Sequence, residues 1–223
     1  MKTNSKFFFL TISIFGFFIE SLHGDSFQYN NYNNHGSVGL INTPTARFFN
    51  EAVHGITIYD GNPDQKITLT SNPYNWLEAS FFYTNIQGKP YPGYEYQDYK
   101  DKGFNIKLRL KKEGFLPAVA VGLNDFAGTG FYSSEYIVSS YGKNRFDFHF
   151  GLGWGQLGGS DQRVKNIFGY IDDRFKTRPL GFEGKGGSFN PSSYFTGEDM
   201  APFFGVSYVV NDNLQIKLEH DTI

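Results

Sequence analysis

The chain has 223 residues, with 25 Phe, 15 Tyr, 2 Trp, 26 Gly, no Cys and a formal net charge of -2. The missing Cys excludes a disulfide framework, a thiolate zinc or iron–sulfur site and a lipid-bearing Cys within these residues. The charge argues against non-specific nucleic-acid binding, and a mean hydropathy of -0.40 argues against a bundle of membrane helices.

In chain order, residues 1–24 read as a signal peptide. Lys2 and Lys6 flank a short basic start, Phe7 to Ile19 is an almost unbroken apolar run, and Ser21 to Gly24 offers small residues for cleavage. The run falls short of the roughly 20 residues of a spanning helix. An exported chain without Cys fits a bacterial envelope. Residues 25–53 read as a periplasmic N-terminal segment. Within it Pro44 and Arg47 form a rigid turn, read as a plug or strand-entry device in preference to a contact with an export partner.

Residues 54–223 read as strands. Weak alternation covers 56–59, 67–70 and 77–83. Phe104, Ile106, Leu108 and Leu110 then alternate with Asn105, Lys107, Arg109 and Lys111. Val119, Val121 and Leu123 follow, then a weaker stretch over 132–138. Phe146, Phe148, Phe150, Leu152 and Trp154 alternate with Asp147, His149, Gly151 and Gly153. The last two segments carry Phe204, Val206, Tyr208 and Val210, then Leu214, Ile216 and Leu218. Period two puts each apolar set on one face and gives about nine strands. No segment shows a capped helical period. Rings are expected on outward faces and loop edges, and Gly on inward faces and in turns.

The connections show a parity. After odd strands they run near 61–64, 87–102, 126–130 and 156–200, and after even strands near 72–75, 113–116, 141–144 and 211–213. The second set is tight, and both long loops belong to the first. Outer-membrane barrels have short periplasmic turns and longer extracellular loops. The fold expected is therefore all-β: an antiparallel up-and-down transmembrane β-barrel, with 87–102 and 156–200 outside. A soluble sandwich also alternates, but Greek-key crossovers would break the parity.

Glu78, Lys107, Arg109, Lys111, Asp147 and His149 sit on polar strand faces, as do Lys217 and Glu219. They could line a water-filled lumen for an acidic glycan, with Arg109 as the planar carboxylate partner. The mixed signs favour instead a self-neutralising network bracing a narrow barrel. Tyr91, Tyr94, Tyr96 and Tyr99 crowd one loop with Pro90 and Pro92; this is a glycan platform or, preferably, an interfacial girdle. Asp161, Asp172, Asp173 and Arg174 mark the long polar loop, whose spacing matches no calcium motif. Gly184 to Gly187 lacks the P-loop spacing. Asp125 with Glu135 is a weak glycosidase pair, and Asp147 with His149 has no Ser to complete a triad. No enzyme activity, metal or cofactor is expected.

The assembled residues resemble the YjbH-type exopolysaccharide biosynthesis proteins, an outer-membrane β-barrel family, from about Gly36 to Asp221. The family's opening turn appears as Pro44-Thr45-Ala46-Arg47, and its strand signature as Trp76-Leu77-Glu78-Ala79. Its most specific block runs from Leu116 through Asp125 to Gly130 and on through Glu135 to Trp154 and Gly155. Phe82 and Tyr141-Gly142 depart from the expected basic residues. The resemblance implies a role in making or exporting a surface polysaccharide, in the outer membrane. Membrane lipid, exopolysaccharide and periplasmic export partners are the implied contacts, without nucleic acid. A general porin and an enzyme acting on surface polysaccharide are the alternatives. Family members look longer, and an odd strand count leaves a barrel unclosed, so an N-terminal fragment is expected.

Overall fold

The computed structural model describes residues 30–91, 93–159, 163–179 and 189–222. The segment expected to be a signal peptide, Asp161 and the Gly184–Gly187 cluster lie outside them.

Nine strands follow one another in a single antiparallel sheet. They are β1 (Val53–Asp60), β2 (Asp64–Tyr74), β3 (Leu77–Tyr91), β4 (Tyr94–Lys111), β5 (Ala118–Asn124), β6 (Ser134–Lys143) and β7 (Phe146–Gly155), then β9 (Asp199–Asn211) and β10 (Leu214–His220). The two-residue β8 (Val164–Lys165) pairs with β9 off this path. All nine expected strands are present, and every pairing joins sequence neighbours apart from the β7–β9 step over β8. The connections alternate between the two ends of the sheet. Residues 75–76, 112–117, 144–145 and 212–213 connect strands at one end, and residues 125–133 and the described parts of the connection from β7 to β9 lie at the other.

Residues 87–102 form no long loop. β3 runs on to Tyr91 and β4 begins at Tyr94, so the two make an extended hairpin, with register shifts between Ile86 and Tyr91. Both faces of this extension are largely exposed, so no apolar alternation marks it. The 156–198 connection holds β8 and short 3-10 helices at Gln156–Gly158, Ile167–Tyr170, Asp173–Phe175 and Pro191–Ser193.

β1 and β10 are not paired with each other, so the sheet is not closed into a barrel. It is nonetheless curled. Asn31 Nδ2 donates to Gln215 Oε1 on β10 at 2.8 Å. The next residue, Tyr32, lays its ring so close to Gly55 on β1 that a Cβ there would collide with it. Both sheet edges thus flank the same dipeptide.

The two faces are inverted relative to a soluble sheet. Outward-facing Ile56, Ile58, Leu69, Phe104, Phe148, Phe150, Ile216 and Leu218 are 47–76% exposed. Inward-facing Thr68, Thr70, Glu78, Lys107, Ser140, Asp147, His149 and Ser207 are buried.

Not every ring faces outward. Phe82, Tyr136 and Phe203 turn inward and are 1% exposed. Each lies opposite a glycine in register: Phe82↔Gly103, Gly122↔Tyr136 and Gly151↔Phe203. A Cβ at Gly122 or Gly151 would overlap the facing ring. Glycine therefore supplies the space that large inward rings need. Tyr136 and Phe203 join Ala46, Phe48, Ala118, Ala120, Val138 and Leu157 in a small apolar core.

Candidate functional site

Residues 30–49 cross the inner face as a strap with little regular structure, closed locally by bridges between Tyr32 and Val38 and between Gly39 and Pro44. A buried strand-free segment must satisfy its backbone groups elsewhere. Here the sheet's side chains do so. Glu78 accepts from Ser37 Oγ at 2.5 Å and from the Val38 amide at 3.3 Å. Lys107 Nζ stands 3.2 Å from Glu78 Oε2 and donates to the carbonyls of Val38 and Arg47 at 3.1 and 3.0 Å. Glu219 accepts from the amides of Ile41, Asn42 and Thr43 at 3.1, 2.7 and 3.1 Å, and from Thr43 Oγ1 at 2.8 Å. Lys217 Nζ donates to the carbonyls of Gly39 and Leu40 at 3.1 and 2.9 Å. Ser140 Oγ accepts from the Ala46 amide at 2.9 Å and meets His149 Nδ1 at 2.8 Å.

Arg47 anchors the far end of the strap. Its Nε and Nη2 donate to Asp147 Oδ2 and Oδ1 at 2.9 and 2.6 Å, and its Nη1 pairs with Glu113. Burial opposes the charged guanidinium, but the hydrogen bonds and charges of Asp147 and Glu113 outweigh it and raise the pKa. His149 Nε2 stands 3.6 Å from Asp147 Oδ2.

The inward charges singled out in the sequence are therefore brought together, and their partners belong to the chain itself. Glu78, Lys107 and Asp147 are spent on the strap. Arg109 is half-buried, with its guanidinium 4.5 Å from the Phe48 ring centroid, and Lys111 is exposed. Pro44 and Arg47 are buried inside the sheet. Sequence reading missed Glu113 and Ser140. Neither carries a motif, and both matter only through the strand register that aims them at the strap.

The other candidates lie apart. Trp76 is 48% exposed in the β2–β3 turn and stacks on Tyr74 at 5.4 Å. Trp154 is fully buried at the other end of the sheet, where its Nε1 donates to Asn166 Oδ1 at 2.9 Å. Glu135 is bound bidentately by Arg178, with both contacts at 2.8 Å, and accepts from the Phe195 amide at 2.9 Å. Asp125 is buried in a left-handed conformation (φ 51°) and accepts from the Tyr132 amide at 3.1 Å. Burial and the nearby Asp101 carboxylate push its carboxyl up to about 7. Asp172 pairs with Arg174, and Asp173 with Lys176. The loop tyrosines form a ring series: Tyr91 lies 6.2 Å from Tyr94 and 5.6 Å from Tyr99, while Tyr96 is fully exposed.

Comparison with known proteins gives two matches. The family model YjbH, described as "Exopolysaccharide biosynthesis protein YbjH", matches residues 31–223. The chain is also similar to the "Uncharacterized lipoprotein YjbH" of Escherichia coli (strain K12), with 38% identity over 192 residues, 83% of this chain and 27% of that protein. The chain thus spans about a quarter (27%) of that relative's length. No solved structure matches.

Proposed function

The chain belongs to the YjbH family of exopolysaccharide biosynthesis proteins, and from that premise we propose that its sheet is part of the wall of an outer-membrane β-barrel. In this reading it assists synthesis or export of an exopolysaccharide without catalysing a reaction. The observation that carries the reading is the inverted sheet. Ordinary soluble monomers rarely leave a large contiguous apolar patch in water, yet here apolar residues on β1 to β4, β7, β9 and β10 are turned outward while charges such as Glu78, Lys107 and Asp147 are turned in. Lipid on the outer face and a polar interior account for both.

The relative is described as a lipoprotein, which supports an envelope placement. In this reading the apolar outer face of the sheet meets the lipid directly. The strap over the inner face favours polymer docking or scaffolding of a secretion complex over an open general porin.

Two measurements test the proposal. Cells deleted for the gene, with other porins intact, are expected to lose exopolysaccharide, and the protein is expected to stay with outer membranes through alkaline carbonate extraction. Unchanged polymer would sink the functional reading, and release by carbonate would sink the membrane reading.

A further inference from the structure

A cleft of about 290 Å³ opens at the long-loop end of the sheet, between residues 125–133 on one side and residues 155–156, 178–179 and 190–194 on the other. Its walls carry Phe126, Phe131 and Tyr194, with Ser133, Gln156 and Asn190 supplying polar groups. That volume is near the lower end of the ~300–1,000 Å³ span of ligand pockets. It has room for a sugar unit, not for a folded domain.

An aromatic series leads to it. Tyr94, Tyr91 and Tyr99 follow one another along the β3–β4 hairpin, and Tyr99 lies 5.7 Å from Phe131 at the cleft wall. At the cleft wall the series continues: Phe126 stands 6.2 Å from Phe189, which stands 5.9 Å from Tyr194. Ring faces carry partial negative charge and attract the C–H faces of pyranoses. A row of rings therefore suits an extended glycan. The Tyr194 hydroxyl is tied to the Phe126 carbonyl at 2.9 Å, which fixes one wall.

Arg178, the cation among the described residues that line the cleft, is already compensated, and the buried Asp125 at its wall adds no positive charge. Arg178 gives both terminal nitrogens to Glu135, and Nη2 also donates to Ser133 Oγ at 2.9 Å. The Lys89 ammonium rests 3.5 Å from the Phe131 centroid and 5.1 Å from that of Tyr99. No cation lining the cleft is left aimed at an anionic ligand among the described residues. We propose that this cleft and its aromatic approach form a binding site for an uncharged pyranose segment of a polysaccharide. The inference rests on the proposed exopolysaccharide role and specifies the chemistry recognised.

The test is calorimetric titration of the full-length protein in detergent. The probes are neutral gluco-, galacto- and manno-oligosaccharides, with uronic-acid oligomers as the acidic arm, each at low and high salt. At least one neutral oligomer is expected to bind with affinity unchanged by salt and at least tenfold tighter than the acidic oligomers. Phe131→Leu and Tyr194→Leu, which keep apolar bulk but remove a ring, are expected to weaken it tenfold or more. Phe131→Tyr is expected to retain it. Protease resistance checks that each variant is folded. Absence of neutral binding, salt-sensitive preference for uronic acids, or unaltered binding by the folded Leu variants each overturns the assignment. Polymer output of the gene deletion separates the two readings. Lost polymer with no sugar binding removes only the cleft, whereas unchanged polymer removes the proposed role.

Discussion

Arg47 and Asp147 lie a hundred positions apart in sequence and meet in a two-point ion pair on the inner side of the sheet, at 2.9 and 2.6 Å. Both side chains are under 10% exposed. Removing one partner of such a pair leaves an uncompensated buried charge, which costs about 3–5 kcal/mol. Arg47→Ala is expected to loosen the strap by that order and to speed chymotryptic cleavage near Phe48. The double variant Arg47→Ala, Asp147→Ala is expected to lose less than the two single changes added together. Unchanged cleavage in the single variant would mean that the strap is held by its other contacts alone.

The outward face makes a second prediction. Phe150 is 53% exposed in the middle of β7. Arg at the bilayer midplane of a barrel wall costs about 2–4 kcal/mol, whereas an ordinary surface substitution stays within about 0.5 kcal/mol. Phe150→Arg is expected to reduce the membrane-assembled fraction, read by heat-modified gel mobility. Tyr96→Arg, on the fully exposed hairpin, is expected to leave it unchanged. Equal behaviour of the two variants would count against lipid on this face.

How much of this was legible in the sequence follows from which solvent each segment meets. Phe146 to Trp154 alternates because its two faces differ, so β7 could be read directly. The β3–β4 extension around Gln87 and Gln97 is exposed on both sides and carries no such pattern. The strap has no period at all. Its partners, such as Glu219 for the Asn42 amide, depend on strands far along the chain. Inward Tyr136 is visible as an exception only once the register places Gly122 opposite it.

That glycine supports a third prediction. A Cβ at Gly122 would run into the Tyr136 ring, and Tyr136 is 1% exposed. Overpacking of a filled interior costs about 1–3 kcal/mol. Gly122→Val is expected to lower the thermal midpoint, and adding Tyr136→Ser is expected to recover part of the loss. If Gly122→Val alone is neutral, the ring is not held against β5.

The last prediction concerns pH. Asp125 has an ordinary carboxyl pKa of 3.8 when exposed and one of about 7 in the fold, through burial and the Asp101 charge. Its Oδ1 is buried without a hydrogen-bond partner, as suits a protonated acid better than a carboxylate. Between these values the folded chain holds the proton more tightly than the unfolded one. The contribution is therefore fully present below pH about 4 and is lost as pH rises through about 7. Asn keeps the acceptor used by the Tyr132 amide and tolerates the left-handed backbone at this position. Asp125→Asn is thus expected to fold like the wild type at pH 5 and to be the more stable protein at pH 8.5. The check is urea unfolding of both proteins in detergent across that range. Parallel pH profiles would show that Asp125 ionises normally and that the loop around Gly128 does not depend on its proton.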